Sequence, residues 1–128
     1  MITNITYLIL CIYFESRNQD MSTKIKIGHV VMNRMVKSDK SIKDVVTKPW
    51  QFSWMNESMK TGKLPAVTDY KAYIECSEAA MKVLDERIDG KDFFGATHFY
   101  DDSIPAPYWV PSMKKDLGKF GNFYFYKE

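Results

Sequence analysis

One carboxylate carries most of the chemistry this sequence could do. Glu15 closes an apolar run, residues 5–14, and is followed by a polar stretch over 16–20. A carboxyl group packed against that much hydrocarbon has its charged form disfavoured, so its pKa rises and it can keep a proton near neutral pH. A general acid needs that property, and one in position typically contributes about 10² to 10⁴ in rate when it protonates a leaving group. A glutamate at a helix end can equally be a solvated charge or half of an ion pair, and Arg17 and Arg34 are available as partners.

Other residue types suggest what could surround it. Trp50, Phe52 and Trp54 alternate with Gln51 and Ser53, and an aromatic face beside hydrogen-bonding groups suits a sugar. The same aromatics could instead plug the core beneath a loop. Asn33 could orient Glu15 or hold a sugar acetamide, or it could join Arg34 in tying helices together. Thr97 offers a hydroxyl for a water or a sugar oxygen, and His98 is either a groove residue or a partly buried histidine in a strand. Tyr100, Tyr108, Trp109 and Tyr126 divide between core and groove wall. Asp20, Glu57, Asp101 and Asp102 are candidates for a second carboxylate, but separation along the chain does not tell which of them reaches Glu15.

Several chemistries are disfavoured by what is missing. The only histidines are His29 and His98, with no HExxH run and no paired cysteine motif, whereas a catalytic zinc site takes three protein ligands at recognisable spacing. No metal and no cofactor is therefore expected. Without a phosphate-cradling glycine loop or a basic aromatic stripe, nucleotide and nucleic-acid chemistry have no support. The net charge of +2, with lysines scattered among acids, still permits attraction to an acidic polymer.

These groups need a scaffold. With 128 residues, 45% of them hydrophobic and 15% aromatic, the chain fits one domain, 1–128, with a sizeable core. The run over 5–14 is apolar all round, which places its helix in the middle of the fold. It is about half the length a membrane span requires. No basic residue precedes it and no small-residue cleavage site follows, so it reads as neither anchor nor signal peptide. Ser22 or Thr23 can cap a second helix running to about residue 36, with Ile27, Val30, Val31 and Met35 as its stripe. A short helix over 41–46, with Asp44 set for a capping box, ends before Pro49. Residues 50–65 show no sustained period and contain Gly62 and Pro65, so they read as an exposed loop with its own aromatic cluster. A further helix is expected over 69–88, with Tyr73, Ile74, Ser77, Met81, Leu84 and Ile88 inward and Gly90 as its stop. Residues 97–100 and 123–126 are β-prone and predict a small antiparallel sheet, with Pro105, Pro107 and Pro111 between them. Cys11 and Cys76 sit on apolar helix faces and read as buried free thiols.

With the segments placed, a family resemblance is visible. Tyr13-Phe14-Glu15-Ser16-Arg17 followed by Gly28-His29-Val30-Val31-Met32-Asn33-Arg34 resembles the opening signature of the SleB-type cell-wall hydrolases, the family of spore-cortex-lytic enzymes and several phage endolysins. Gln51-Phe52-Ser53-Trp54 resembles the second block, Gly95-Ala96-Thr97-His98-Phe99-Tyr100 the third, and Pro107-Tyr108-Trp109 with Phe125-Tyr126 the end. The resemblance implies an α+β fold, a predominantly helical lysozyme-like domain with a small antiparallel β element near the C-terminus. It also implies action on peptidoglycan, with Glu15 at the position of the catalytic glutamate. Two departures stand out. Asn18-Gln19-Asp20 replaces the usual Gly-Glu-Pro, removing a second acidic residue from its place, and Thr23 and Lys24 replace small residues before the second helix.

The expected function is cleavage of the β-1,4 bond between N-acetylmuramic acid and N-acetylglucosamine, either as a muramidase or as a lytic transglycosylase. Glu15 is the expected acid, and Asn33, Gln51, Phe52, Ser53, Trp54, Thr97, His98, Tyr100 and Tyr126 are the candidate substrate contacts. The alternatives are a non-catalytic module that grips wall glycan and, less favoured, a metal-dependent peptidoglycan amidase. A phage endolysin is the expected setting: a monomer made in the cytoplasm without a recognisable signal peptide, with no membrane anchor and no nucleic-acid partner. It would reach the wall through a membrane-permeabilising, holin-like protein.

Overall fold

The first helix, α1 (Asn4–Ser16), is apolar on nearly every side, and the other helices pack around it. Thr3 caps its start, its hydroxyl accepting from the Thr6 N–H at 3.2 Å. Leu8, Cys11, Ile12 and Tyr13 are fully buried. The computed structural model describes residues 2–48 and 51–128, so Pro49 and the recognition role expected of Trp50 lie outside the described residues.

The second helix, α2 (Met21–Ser38), starts earlier than expected. Asp20 is its cap, with Oδ1 accepting from the Thr23 N–H at 2.8 Å, in place of Ser22 or Thr23. Thr23 and Lys24 are buried without disturbing the helix, and the Lys24 ammonium donates to Glu75 of α5 (Tyr70–Ile88) at 3.1 Å. Gly28 marks the close approach of α1, α2 and α5. A methyl group there would lie 2.6 Å from Val83 Cγ2 and 3.2 Å from Ile12 Cδ1. Both neighbours are short or already packed, so overpacking at about 1–3 kcal/mol outweighs the roughly 1 kcal/mol helix gain of alanine over glycine. Gly28→Ala is expected to lower the urea midpoint, with a net loss of about 1 kcal/mol.

That crowding also explains a difference on α5. Its inward face is made of small side chains, Ala72, Cys76, Ala79, Ala80 and Val83, while Ile74, Met81 and Ile88, expected inside, are exposed. Periodicity picks the bulkiest apolar row, but the gap beside Gly28 admits only a narrow one. Cys11 and Cys76 are buried and unpaired.

Two further helices complete the body. α3 (Ile42–Thr47) starts at Ser41, whose hydroxyl accepts from the Asp44 N–H at 3.1 Å. α4 (Ser53–Thr61) occupies much of the stretch expected to be loop. Its inward residues are Trp54, Met55 and Ser58, and Gly62 ends it in the left-handed conformation at φ 73°, as a helix stop and not as a loop breaker.

The remainder forms a sheet of order β1-β3-β2, all antiparallel: β1 (His98–Asp101), β2 (Lys115–Phe120) and β3 (Phe123–Lys127). In register, His98 faces Tyr126 and Asp101 faces Phe123. Phe99, Phe123 and Phe125 meet on one face and join the core. Tyr100, Tyr124 and Tyr126 stack on the other, where Trp109 packs edge-on against Tyr126. The helical body with a small C-terminal antiparallel sheet is the α+β class expected from the sequence.

Candidate active site

Glu15 is in the last turn of α1, half-buried. Burial is the main influence on it and pushes its carboxyl up from 4.5 to about 7; the Arg34 guanidinium opposes this, and Asp101 at the end of β1 adds to it. The carbonyl end of a helix is also an unfavourable place for an anion. Among the described residues Glu15 makes no hydrogen bond or ion pair, so its proton is not committed to a partner.

Arg34, from α2, links this carboxylate to the sheet. Its Nε donates to the Thr97 carbonyl, its guanidinium lies 5.1 Å from the centre of the Phe52 ring, and its buried Nη1 has no hydrogen-bond partner among the described residues. Thr97 is held on all sides. Its N–H donates to the Tyr126 carbonyl at 3.0 Å, and its hydroxyl accepts from the Glu128 N–H at 2.8 Å and bonds His98 Nδ1 at 3.0 Å. The hydroxyl expected to hold a water is thus engaged in fixing His98. Burial and the nearby Arg34 hold His98 below its ordinary value, so its imidazole is neutral at pH 7.

The loop carrying these residues is set by Asn33, which is buried. Its Nδ2 donates to the carbonyls of Asp92 and Ala96, at 2.9 and 2.8 Å, and its Oδ1 accepts from Arg87 at 3.0 Å. The Arg87 guanidinium also reaches His29 Nδ1 at 3.2 Å, and His29 Nε2 bonds Glu86 at 3.0 Å. Between the two carbonyls, Phe93, Phe94 and Gly95 are all left-handed, with φ of 51°, 55° and 75°. For bulky residues that conformation is costly, so the amide clamps a strained turn. The structure therefore corrects the direct role expected of Asn33: its amide is turned to the loop and not to Glu15 or a sugar.

The other candidates separate into two sets. Gln51, Thr97 and His98 line an open groove of about 880 Å³, with Arg34 in its wall. Phe52 and Trp54 are core residues at 2% and 8% exposure, Phe52 beneath Arg34 and Trp54 stacked on Phe14 at 5.0 Å. They shape the site from behind and are not an exposed sugar platform. Ser53 is exposed at the first position of α4. Tyr100 and Tyr126 lie 6.0 Å apart on the outer sheet face, and burial with the Tyr100 hydroxyl beside it pushes the Tyr126 phenol up to about 12.

The second-carboxylate candidates also separate. Asp20 is occupied as the α2 cap, Asp102 pairs with Lys119 at 3.0 Å, and Glu57 is exposed on α4. Asp101 alone of them influences Glu15. A hydrogen bond from the Ser103 N–H at 2.7 Å holds Asp101 below its ordinary value, so the two carboxyls are driven apart, one towards the acid and one towards the anion. The sequence offers Arg34 as a partner of Glu15 and Asp101 as one of four carboxylates, without telling which of them reaches it. Only the fold shows that α2 and the end of β1 converge on the last turn of α1.

Residues 18–126 match the family described as Cell Wall Hydrolase, a span that begins just after Glu15. No curated protein matches the sequence. Among solved structures, the catalytic domain of the Bacillus cereus SleB protein superposes with a TM-score of 0.71 at 20% identity, covering 97% of this chain and 89% of that one. The catalytic domain of the germination-specific lytic transglycosylase SleB from Bacillus anthracis gives 0.70 at 20% identity, over 97% and 93%. The helical body, the small sheet and a match over most of the sequence converge on one conclusion: this chain belongs to the cell wall hydrolase family.

Proposed function

We propose that this protein is a lytic transglycosylase that cuts peptidoglycan between N-acetylmuramic acid and N-acetylglucosamine, with Glu15 as its acid and then its base. The observation that carries the reading is the half-buried Glu15 carboxyl, held at about 7. A group poised there gives up a proton and takes one back with similar ease at neutral pH. In the first step the Glu15 proton passes to the glycosidic oxygen, the bond from that oxygen to muramic C1 breaks, and the N-acetylglucosamine side leaves with a free 4-hydroxyl. In the second the Glu15 carboxylate removes the proton from the muramic C6 hydroxyl as O6 bonds to C1. The product ends in a 1,6-anhydro ring, and Glu15 is again protonated. We assign Gln51 and His98 to sugar contacts along the groove, and Arg34 and Thr97 to positioning.

One observation favours a second reading. Asp101 is held ionised and is felt by Glu15, as the second carboxylate of a muramidase would be. Mass spectrometry of muropeptides released from purified wall separates the two, since anhydro ends mark transglycosylation and reducing muramic acid ends mark hydrolysis. We expect Asp101→Asn to keep anhydro products and to move the alkaline fall of activity to lower pH, because its negative charge no longer supports the proton on Glu15. A loss of about 10² or more in rate with reducing ends in the wild-type digest would favour the muramidase. Cut peptides on intact glycan would overturn both. For the setting we propose release to the wall during host lysis through a holin-like partner, which rests on the resemblance to phage endolysins.

A further inference from the structure

The groove whose wall holds Arg34, the guanidinium felt by Glu15, has more positive charge than glycan cleavage requires. Arg34, Lys37, Lys40 and Lys48 line it, against Asp44 and Glu128. Lys37 is occupied by Glu128 at 2.9 Å. Lys40 and Lys48 are exposed and form no ion pair among the described residues, and the buried Arg34 Nη1 is also without a hydrogen-bond partner. The groove thus keeps unneutralised cations along with Arg34 in its lining. Glycan stripped of its stems has one free lactyl carboxylate on each muramic residue but does not extend several carboxylates from it. The peptide stem does, because it hangs from the lactyl group of the muramic residue whose bond is cut and carries free carboxylates.

We propose that this groove is a stem-peptide site, in which Lys40 and Lys48 bind the stem's carboxylates, so that the enzyme prefers peptide-bearing glycan to peptide-free glycan. The inference rests on the reading of Glu15 as the glycan-cleaving acid and names the substrate class for it. Size favours the stem over a separate wall polyanion, since a groove of about 880 Å³ adjoining Arg34 and His98 takes a short segment attached next to the scissile bond. Two exposed ion pairs of about 0.7 kcal/mol each, within their usual range, amount to roughly a tenfold preference. Such pairs are screened, so the preference shrinks as salt rises.

The test uses purified peptidoglycan freed of teichoic acid, and a portion of it stripped of stems by an amidase. Rates of glycan cleavage on the two are compared for the wild type, for Lys40→Gln/Lys48→Gln, and for Lys71→Gln/Lys82→Gln, which removes the same charge from the exposed face of α5. The expected result is a wild-type ratio of roughly ten in favour of stems, which falls towards one in the groove variant and stays near ten in the α5 variant. Equal wild-type rates on the two substrates overturn the inference and leave the catalytic reading standing. A ratio that falls equally in both variants also overturns it, since overall charge would then be the cause. A preference that appears only when teichoic acid is left in place assigns the cations to that polymer and overturns the stem. A wild type that cuts neither glycan overturns the reading of Glu15, and the inference falls with it.

Discussion

Glu15→Gln yields a folded protein that has lost at least about two orders of magnitude in wall lysis, because the amide keeps the shape of the side chain and cannot give a proton. Turbidity clearing of purified wall measures this, and circular dichroism confirms the fold. A wall-binding module that does no chemistry would keep its function in the same variant. The same substitution also changes stability. The folded protein holds the Glu15 proton more tightly than the unfolded chain, since the carboxyl moves from 4.5 to about 7 on folding. Its contribution to stability is therefore complete below pH 4.5 and is lost as the pH rises through about 7. At about 1.4 kcal/mol per unit, the wild type gives up as much as about 3 kcal/mol above that pH. Glutamine has no charge to bury, so the variant should be the more stable protein in urea at pH 8 and gain little at pH 4. In the wild type, kcat/KM should fall with a limb near pH 7 as the acid is lost. An enzyme whose activity is flat from pH 5 to 9, with a Glu15→Gln variant as active as the wild type, would remove Glu15 from the mechanism.

Asn33→Asp has the second large effect, at one atom's change. Both protons of the amide are in use, on the Asp92 and Ala96 carbonyls. A carboxylate turns a donor into an acceptor and leaves two carbonyls facing it, and each unsatisfied buried group costs about 1–3 kcal/mol. The Arg87 guanidinium on the other oxygen offsets part of this. A net loss of about 3 kcal/mol is expected from urea unfolding at pH 7, a large share of the roughly 5–15 kcal/mol a domain has. The loss should shrink as the pH falls, because the introduced carboxyl regains one donor when it is protonated. Catalysis should suffer too, since the clamp sets the turn that leads into Thr97 and His98. If Asn33→Asp instead unfolds at the wild-type midpoint, the amide does not hold that turn.

These two residues show what the sequence can and cannot convey. The environment of Glu15 is local: an almost wholly apolar run over 5–14 precedes it, so its burial is legible before any fold is known. The partners of Asn33 are Asp92 and Ala96, and nothing near residue 33 says which backbone its amide will meet. The helices α1, α2, α3 and α5 follow from periodicity and caps. α4 does not, because Phe52 offers no capping side chain and Ser58 interrupts the apolar stripe. Its aromatics are then taken for a recognition loop, although packing makes them the back wall of the site. β2, an edge strand with mostly exposed residues, lacks the alternation that reveals β1 and β3. On α5 the period is right and the face is wrong, since hydrophobicity reports the size of an apolar residue but not the narrowness of the gap it must fill.

The order β1-β3-β2 places the strand made last of the three in the centre of the sheet. A ribosome therefore delivers Glu15 and the helices around it well before it delivers the strand whose Tyr126 carbonyl and Glu128 N–H fasten Thr97. Until residues 123–128 are made, Thr97 is unfastened and His98 has no fixed seat.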